Sequence, residues 1–411
     1  MSRSDNTIVG LDVGTTKVCA IIGEVNEDDM VDIIGLGTAR SRGLRRGVVV
    51  NIDQTVASIR KAIEDAELMS GCRAESAIAG VSGGHIKGIN SHGVIAVKNR
   101  EVTAVDVNRV IDAARAVAIP LDREVIHILP QEFMVDDQDG IKEPIGMAGV
   151  RLEAKVHIVT GATSSTQNIA RCANRSGLRV EDLVLQQMAA SEAVLSSDEK
   201  ELGVVLVDIG GGTTDIAVFL EGAIQYTSVI PVGGDQLTND IAVGLRTPMA
   251  EAEKIKTKNG CALGSLVSKD ETVPVPGVGG RQPRIVARSV LADIIEPRLE
   301  ETLGLVRREI EKFGLMDKVA SGVVLTGGSV AIEGMCDLAD QIFDLPVRLG
   351  YPIGISGLVD VVNSPLYATG VGLVLWGARR RGLDMVPSFR NDGNMINRVM
   401  DRMKQWFAEA F

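Results

Sequence analysis

Two stretches of this chain, 196 positions apart (208 − 12), are built to one plan. Ile8 to Gly23 (IVGLDVGTTKVCAIIG) and Val204 to Gly222 (VVLVDIGGGTTDIAVFLEG) each run an apolar strand into an aspartate, turn on glycine and threonine, and return through a second apolar stretch. Glycine can take φ > 0 and carries no Cβ, so Gly14 and the run Gly210, Gly211, Gly212 are expected to expose backbone N–H groups. With the hydroxyls of Thr15, Thr16, Thr213 and Thr214 they make a cradle for phosphate oxygens. Asp12 and Asp208, each at a strand end beside its turn, are placed to hold a hydrated Mg²⁺. A chain with two such cradles is expected to grip a nucleoside triphosphate from two sides.

The residues after each turn exclude the commoner nucleotide folds. A Walker loop or a Rossmann fingerprint opens a helix after its glycines, whereas Val18, Ile21, Ile22, Ile216, Val218 and Phe219 are strand formers. The pattern predicts β-hairpins, and neither G-x-x-x-x-G-K-[ST] nor G-x-G-x-x-G occurs. A chain of 411 residues, 45% of them hydrophobic but only 3% aromatic, can bury two sizeable cores built from strands and small-residue helix faces. A formal charge of −11 argues against general nucleic-acid binding, which needs clustered cations. The five cysteines and four histidines are scattered, so neither a disulfide framework nor a structural metal is expected. Met1 to Thr7 is short and polar and no apolar run reaches the roughly 18 residues of a membrane span, so a soluble cytoplasmic body is expected.

Periodicity places the remaining elements. Val31 to Gly37 reads as a strand, Asp53 as the cap of a helix through about Met69, and Ser76 to Val81 as a short buried strand. From Gly83 to Val159, strand-like pieces (Gly93 to Val97, Glu124 to Leu129, Phe133 to Val135, Ala154 to Val159) surround one helix, Thr103 to Ala118, as in a small α/β insertion. Ser164 to Ser176 and the small-residue stretch Leu183 to Ser196 read as helices, the latter able to let two lobes pack closely and shear. Further on, Gly233 and Gly234 form another glycine pair, Glu251 to Lys256 is helical, and Lys269 to Arg284 is a Pro/Gly-rich surface segment. A long helix spans Val290 to Phe313. Gly322 to Gly328 is a buried strand ending on two glycines, where Gly327, Gly328 and Ser329 would let a ribose or a flat ring approach, and a helix begins at Ala331.

The order Asp12-x-Gly-Thr-Thr, small-residue helix, Asp208-x-Gly-Gly-Gly-Thr-Thr-Asp, Leu325-Thr-Gly-Gly-Ser and a second small-residue helix (Tyr367 to Gly377) resembles the five nucleotide motifs of the actin/Hsp70/sugar-kinase superfamily. Within it, SRGLRRGVVVNID, ILPQEF, GCALGSLVSKDETVPVPGVGG and IEPRLEE are similar to the FtsA family of bacterial cell-division proteins, over essentially the whole chain. The resemblance implies an α/β, actin-like, two-lobed duplicated fold with an FtsA-type inserted subdomain and a C-terminal amphipathic helix. The expected division is 1–82 with 162–197 (subdomain 1A), 83–161 (inserted 1C), 198–232 with 286–377 (2A), 233–285 (2B), a flexible linker 378–394 and a membrane-targeting helix 395–411.

The resemblance also implies ATP and Mg²⁺ as ligands, with FtsZ, further copies in an actin-like protofilament, later division proteins and an anionic membrane as partners, at the cytoplasmic face of the inner membrane at the division septum. Carried over residue by residue, Gly14, Thr15, Thr16 and Gly210 to Thr214 hold phosphates and Asp12 and Asp208 flank the metal. Gly233, Gly234, Glu253 and Lys256 meet the nucleoside with Gly327 to Ser329. Lys17 lies closer to its glycine than the phosphate lysine of actin. Gln186 stands where hydrolytic relatives often carry a glutamate; an amide can orient a water but cannot accept its proton, so slow hydrolysis at most is expected. Arg281, Arg284, Arg288 and Arg298 mark the expected FtsZ-docking flank.

In the tail, Val399, Met403, Trp406, Phe407 and Ala410 recur at helical spacing with Met400 and Phe411 beside them and Arg402 and Lys404 outside the stripe, as in an interfacial membrane helix. A small-molecule, sugar-type kinase of the same superfamily is the alternative reading; it has no use for such a tail.

Overall fold

Both hairpins form in the computed structural model, which describes residues 6–26 and 30–384. The first part of the chain holds β1 (Thr7–Val13), β2 (Lys17–Val25), β3 (Val31–Arg40), the short pair β4 (Leu44–Arg45) and β5 (Val48–Val49), α1 (Ile52–Ser70) and β6 (Ser76–Val81). Next comes an insertion: β7 (Lys87–Ala96), α2 (Ala104–Arg115), β8 (Arg123–Val135), β9 (Gln138–Ile141) and β10 (Arg151–Ala162). α3 (Thr163–Arg175), β11 (Arg179–Leu185) and α4 (Gln186–Val194) complete the first half. The second half runs α5 (Ser197–Leu202), β12 (Val204–Ile209), β13 (Thr214–Leu220), β14 (Ala223–Ile230), α6 (Gly234–Gly244), α7 (Met249–Asn259), β15 (Thr272–Val275), β16 (Arg284–Ala287) and α8 (Arg288–Glu311). It ends with β17 (Val323–Thr326), α9 (Met335–Phe343), β18 (Val347–Leu349), β19 (Ile355–Gly357), α10 (Val359–Val362) and α11 (Ala368–Asp384).

The duplication is plain in the sheets. One has the order β11-β6-β1-β2-β3-β19 and the other β14-β13-β12-β17-β18; each joins an antiparallel three-stranded meander to two parallel strands beside the meander's first strand, and the first sheet adds β19, parallel to β3, at its other edge. Apolar cores cover the second sheet on both faces, which is why β12 is apolar without a break from Val204 to Val207. Val204 and Leu206 face one core, while Val205, Val207 and Ile209 face the other. Each such burial contributes about 1.5–3 kcal/mol before the entropy of ordering is set against it.

Several elements depart from the sequence reading. Asn51, not Asp53, caps α1, its Oδ1 accepting from Gln54 N at 3.0 Å. The expected helix Leu183–Ser196 is split: Leu183 to Leu185 pair with Ala79 to Val81 of β6, so only Gln186–Val194 is helical. Two expected strands merge into β8 because Pro130 sits at a register shift, where its missing N–H costs no ladder bond. Gly334, at φ 75, delays the helix expected from Ala331 until Met335.

The segment 286–377 does not stay in the second lobe. β19 pairs with β3, and Ala368, Val371, Leu373 and Val374 lie in the core that β1 and β2 share. α11 runs to Asp384, so 378–384 continues a helix where a linker was expected. α11 crosses α4 backbone to backbone: a Cβ on Gly372 would lie 1.7 Å from Ala189 O. The tail residues Val399 to Phe411 lie outside the described residues. Among the described residues no helix is long and apolar enough to cross a membrane.

Candidate functional site

The two turns have one geometry. Gly14 N donates to Lys17 O and Gly210 N to Thr213 O, both at 2.9 Å, so Gly14 corresponds to Gly210, Lys17 to Thr213 and Asp12 to Asp208. Neither Gly14 nor Gly210, Gly211 or Gly212 has a positive φ; the expectation that these glycines serve an unusual backbone conformation is not met. Closeness is the reason for glycine instead. A Cβ on Gly211 would lie 2.3 Å from Thr16 Cγ2, and one on Gly212 would lie 2.5 Å from Thr15 Oγ1. The threonines of the first turn rest on the glycines of the second.

Between and beside the turns is a cleft of about 280 Å³. It is lined by Asp12, Gly14 to Lys17, Gln186, Asp208, Gly210 to Thr213, Glu253, Lys256 and Gly327 to Ser329, all read as site residues from the sequence. Thr214, Gly233 and Gly234 stand behind it. Thr214 Oγ1 donates to Val232 O at 2.8 Å, and a Cβ on Gly233 would press on Gly210 O at 2.6 Å. Gly234 N and Asp235 N donate to Gly210 O and Gly211 O, tying the start of α6 to the second turn. Gly327, at φ 95, brings backbone so near that a Cβ would meet Asp208 Oδ1 at 2.3 Å, and Ser329 Oγ donates to Gly210 O at 2.9 Å.

Three of the cleft's carboxylates gather beside the paired turns. Asp12 accepts from Gln186 Nε2 at 3.1 Å and lies 3.7 Å from Lys17 Nζ. Asp208 accepts from Thr369 Oγ1 at 2.9 Å. Asp215, opposite Asp208 in the β12–β13 register, accepts from Thr213 Oγ1 at 2.9 Å and from Ser82 Oγ. Burial pushes all three carboxyls up, Asp208 to about 6 and Asp215 to about 7, and their mutual repulsion adds to the rise at Asp208 and Asp215. Lys17 reaches across to Leu366 O at 2.8 Å and over the Tyr367 ring. Lys256 is buried and engaged by Glu253 Oε2 at 2.7 Å and Thr238 Oγ1 at 2.9 Å, so it braces α7 against α6.

Such a hard-oxygen, charge-crowded cleft fits a divalent cation, whose charge would draw the carboxyls back to their ionised forms. Among the described residues no three His, Cys, Asp or Glu side chains converge to hold an ion directly. Asp12 and Asp208 therefore suit an ion that keeps water between itself and the protein.

The sequence reading missed Ser82, Asp215, Asp235, Thr257, Leu366 and Thr369, all of which line the cleft. For Asp215 the signal was present: aligning the two hairpins turn on turn sets it against Cys19. Of the four flank arginines, Arg288 pairs with Glu271 and Glu333, and Arg298 with Asp240 and Glu301. Arg284 donates to Leu245 O, and Arg281 is exposed.

Two lobes with duplicated meanders, paired phosphate-type turns and small-residue helices crossing between them define an actin-like fold. Solved structures agree on that fold. A PilM–PilN type IV pilus biogenesis complex matches with a TM-score of 0.66 at 15% identity, covering 90% of this chain and 98% of that one. MreB5 of Spiroplasma citri bound to ADP matches at 0.55 and 13%, covering 93% and 99%. The family is set by closer likeness. The family model described as cell division protein FtsA matches residues 205–372, and that of the SHS2 domain inserted in FtsA matches 83–160. The chain is 51% identical to the cell division protein FtsA of Pseudomonas aeruginosa over 100% of this chain and 99% of that protein. It is 46% identical to that of Escherichia coli K12, over 98% of each. This chain belongs to the FtsA family of cell division proteins.

Proposed function

We propose that the chain binds ATP with Mg²⁺ between its paired turns, assembles with further copies as an actin-like filament on the inner membrane, and tethers FtsZ filaments there for later division proteins to join. The observation that carries the nucleotide reading is the repeated turn: two i to i+3 closures of one geometry, facing each other, each preceded by a buried aspartate. Backbone N–H groups and threonine hydroxyls on both sides would bind phosphate oxygens, and Asp12 and Asp208 would orient the water around the ion. The ion supplies charge neutralisation when bound.

Turnover is expected to be slow. Gln186 can orient a water but, held by Asp12, offers no proton acceptor; Asp215, kept partly protonated near neutrality, is the only cleft carboxyl paired to two hydroxyls among the described residues. FtsZ docking is assigned to the face around β15 and β16, where Arg281, Arg284, Val278 and Ile285 are exposed. Membrane attachment is assigned to the tail, Val399 to Phe411.

The test is sedimentation with anionic liposomes, with and without Mg-ATP and FtsZ. Co-pelleting of FtsZ that needs this chain and is lost when 395–411 is deleted supports the adaptor reading; equal pelleting of the truncated chain sinks it.

A further inference from the structure

The insertion belongs to the first lobe by chain connection, since it leaves after β6 and returns into α3. Its sheet, in the order β7-β10-β8-β9, nevertheless lies against the second lobe. β14 is the edge strand of the second-lobe sheet, and an edge strand presents carbonyls that its own sheet leaves unpaired. Side-chain amides of the insertion take those carbonyls. Asn90 Nδ2 donates to Gln225 O at 3.2 Å and Gln131 Nε2 to Ile224 O at 3.0 Å.

Between them the buried ring of His157 makes hydrogen bonds to Asn90 Oδ1 at 2.5 Å and to Thr227 Oγ1 at 2.8 Å. Burial alone lowers its pKa to about 4, so the ring is neutral and one nitrogen is free to accept. Gly88 closes the contact: a Cβ there would lie 2.6 Å from both His157 Nε2 and Thr227 Oγ1. Beyond the strand, Lys142 meets Glu201 of α5 at 2.8 Å.

The root of the insertion is tied to the cleft. Ser82, the residue before it, donates to Asp215 of the second lobe, and Gly47 packs with no spare room on Ser82 and Gly83 while its N–H donates to Thr15 Oγ1 at 3.0 Å. The root is also stiff. Arg123 bridges His85 O and Thr160 O, both at 2.8 Å, so the segment that enters the insertion and the strand β10 that leaves it are clamped together. A pivot at the root is thereby opposed, and a change of angle between the lobes has to be taken up along the seam with β14.

We infer that the inserted subdomain is a strap across the two lobes, docked along the free edge of β14 by Asn90, Gln131 and His157, and that the cleft opens to exchange its ligand only when this seam parts. The exchange part rests on the nucleotide reading above; the strap itself does not. The insertion thus has a role inside the subunit in addition to any surface it offers to other proteins.

The test uses the full chain with spin labels at introduced cysteines replacing Lys61 on α1 and Lys254 on α7, the half-exposed Cys72 and Cys336 being changed to serine. Pulsed electron resonance reads the distance between the lobes, hydrogen exchange reads whether the β14 edge is protected, and release of a fluorescent ATP analogue reads exchange. Asn90→Ala with Gln131→Ala should expose the β14 edge, add a longer interlobe distance and speed release by about fivefold, the effect of two lost hydrogen bonds partly offset by water. Gly88→Val, which forces His157 from Thr227, should do the same more strongly. Carbodiimide coupling of Lys142 to Glu201 should slow release.

An exposed β14 edge with an unchanged interlobe distance overturns the strap, and so does an edge that stays protected in Gly88→Val. If the unmodified chain binds no ATP analogue, the nucleotide reading fails and the distance measurement alone decides for or against the strap.

Discussion

Asp215 stands directly opposite Asp208 in the β12–β13 ladder, at the place that Cys19 holds opposite Asp12 in the first hairpin. The two hairpins differ at this position, and the difference puts a carboxyl beside Asp208 that the first hairpin lacks beside Asp12. Asp215→Asn removes the acid and keeps an acceptor oxygen for one of Ser82 and Thr213, the hydroxyl of the other turning to accept from the amide N–H. ATP affinity should change little, and the slow turnover proposed above should fall by about tenfold or more. Single-turnover hydrolysis with the nucleotide pre-bound measures it; an unchanged rate removes Asp215 from the reaction.

The same carboxyls set a pH dependence. Unfolded, both titrate near 3.8, whereas in the folded chain Asp208 is raised to about 6 and Asp215 to about 7. Between those limits the folded state binds more protons than the unfolded one, so the stability of the nucleotide-free chain is greatest at the acid end and declines as pH rises through 6 and 7. Asp215→Asn should flatten the decline by a few kcal/mol, the rise from 3.8 to about 7 converted at about 1.4 kcal/mol per unit. Urea unfolding at a series of pH values checks both the sign and the loss, and binding of Mg-ATP over the same range should release protons.

Gly211 tests the contact between the lobes as well as the phosphate cradle. Gly211→Val drives a branched side chain into Thr16 of the opposite turn, so the turns cannot face each other and ATP affinity should fall below detection by calorimetry. Thr16→Gly in the same chain removes the obstructing side chain and should restore part of the binding. A double variant no better than the single one would point to the phosphate approach alone.

At the crossing of α4 and α11, Gly372→Ala puts a methyl group onto Ala189 O. Overpacked cores lose about 1–3 kcal/mol, and a backbone obstacle gives way less easily than a side chain, so the upper end is expected. Thermal unfolding should show a lower Tm for Gly372→Ala, whereas Gly304→Ala, in a roomy position of α8, should be neutral or mildly stabilising.

On the proposed FtsZ face the arginines separate into two kinds. Arg281→Glu and Ile285→Glu should weaken binding of the FtsZ tail with no change in Tm, because both side chains are exposed. Arg298→Glu breaks the Asp240 pair and should cost at most about 1 kcal/mol of stability while leaving tail affinity near normal. Fluorescence anisotropy with an FtsZ tail peptide, beside unfolding curves, distinguishes the two.

Local motifs were legible from sequence because their chemistry is local. A strand, an aspartate and a glycine turn are written in consecutive residues, so Asp12, Asp208 and both turns were found, as was Gly327 to Ser329 at the end of β17. Ser82, Leu366 and Thr369 were not, since nothing beside them in the chain marks them; they reach the cleft through the packing of β6 and α11. β19 failed for the same reason. Three residues are too short for a periodic signal, and β19 is placed by pairing with β3, some 324 residues away, with Ser356 on Asp32. Arg288 and Arg298 looked like a charged surface because their acidic partners, Glu333 and Asp240, are distant in sequence.

The return of α11 to the first lobe decides which half of the molecule carries residues 385–411. Under the proposed membrane attachment, a pull on those residues enters the sheet that contains β1 and β3, and the second lobe is the part left to swing. Opening and closing of the cleft would then move the β15–β16 face toward or away from the anchoring surface, turning an internal hinge into a change of reach.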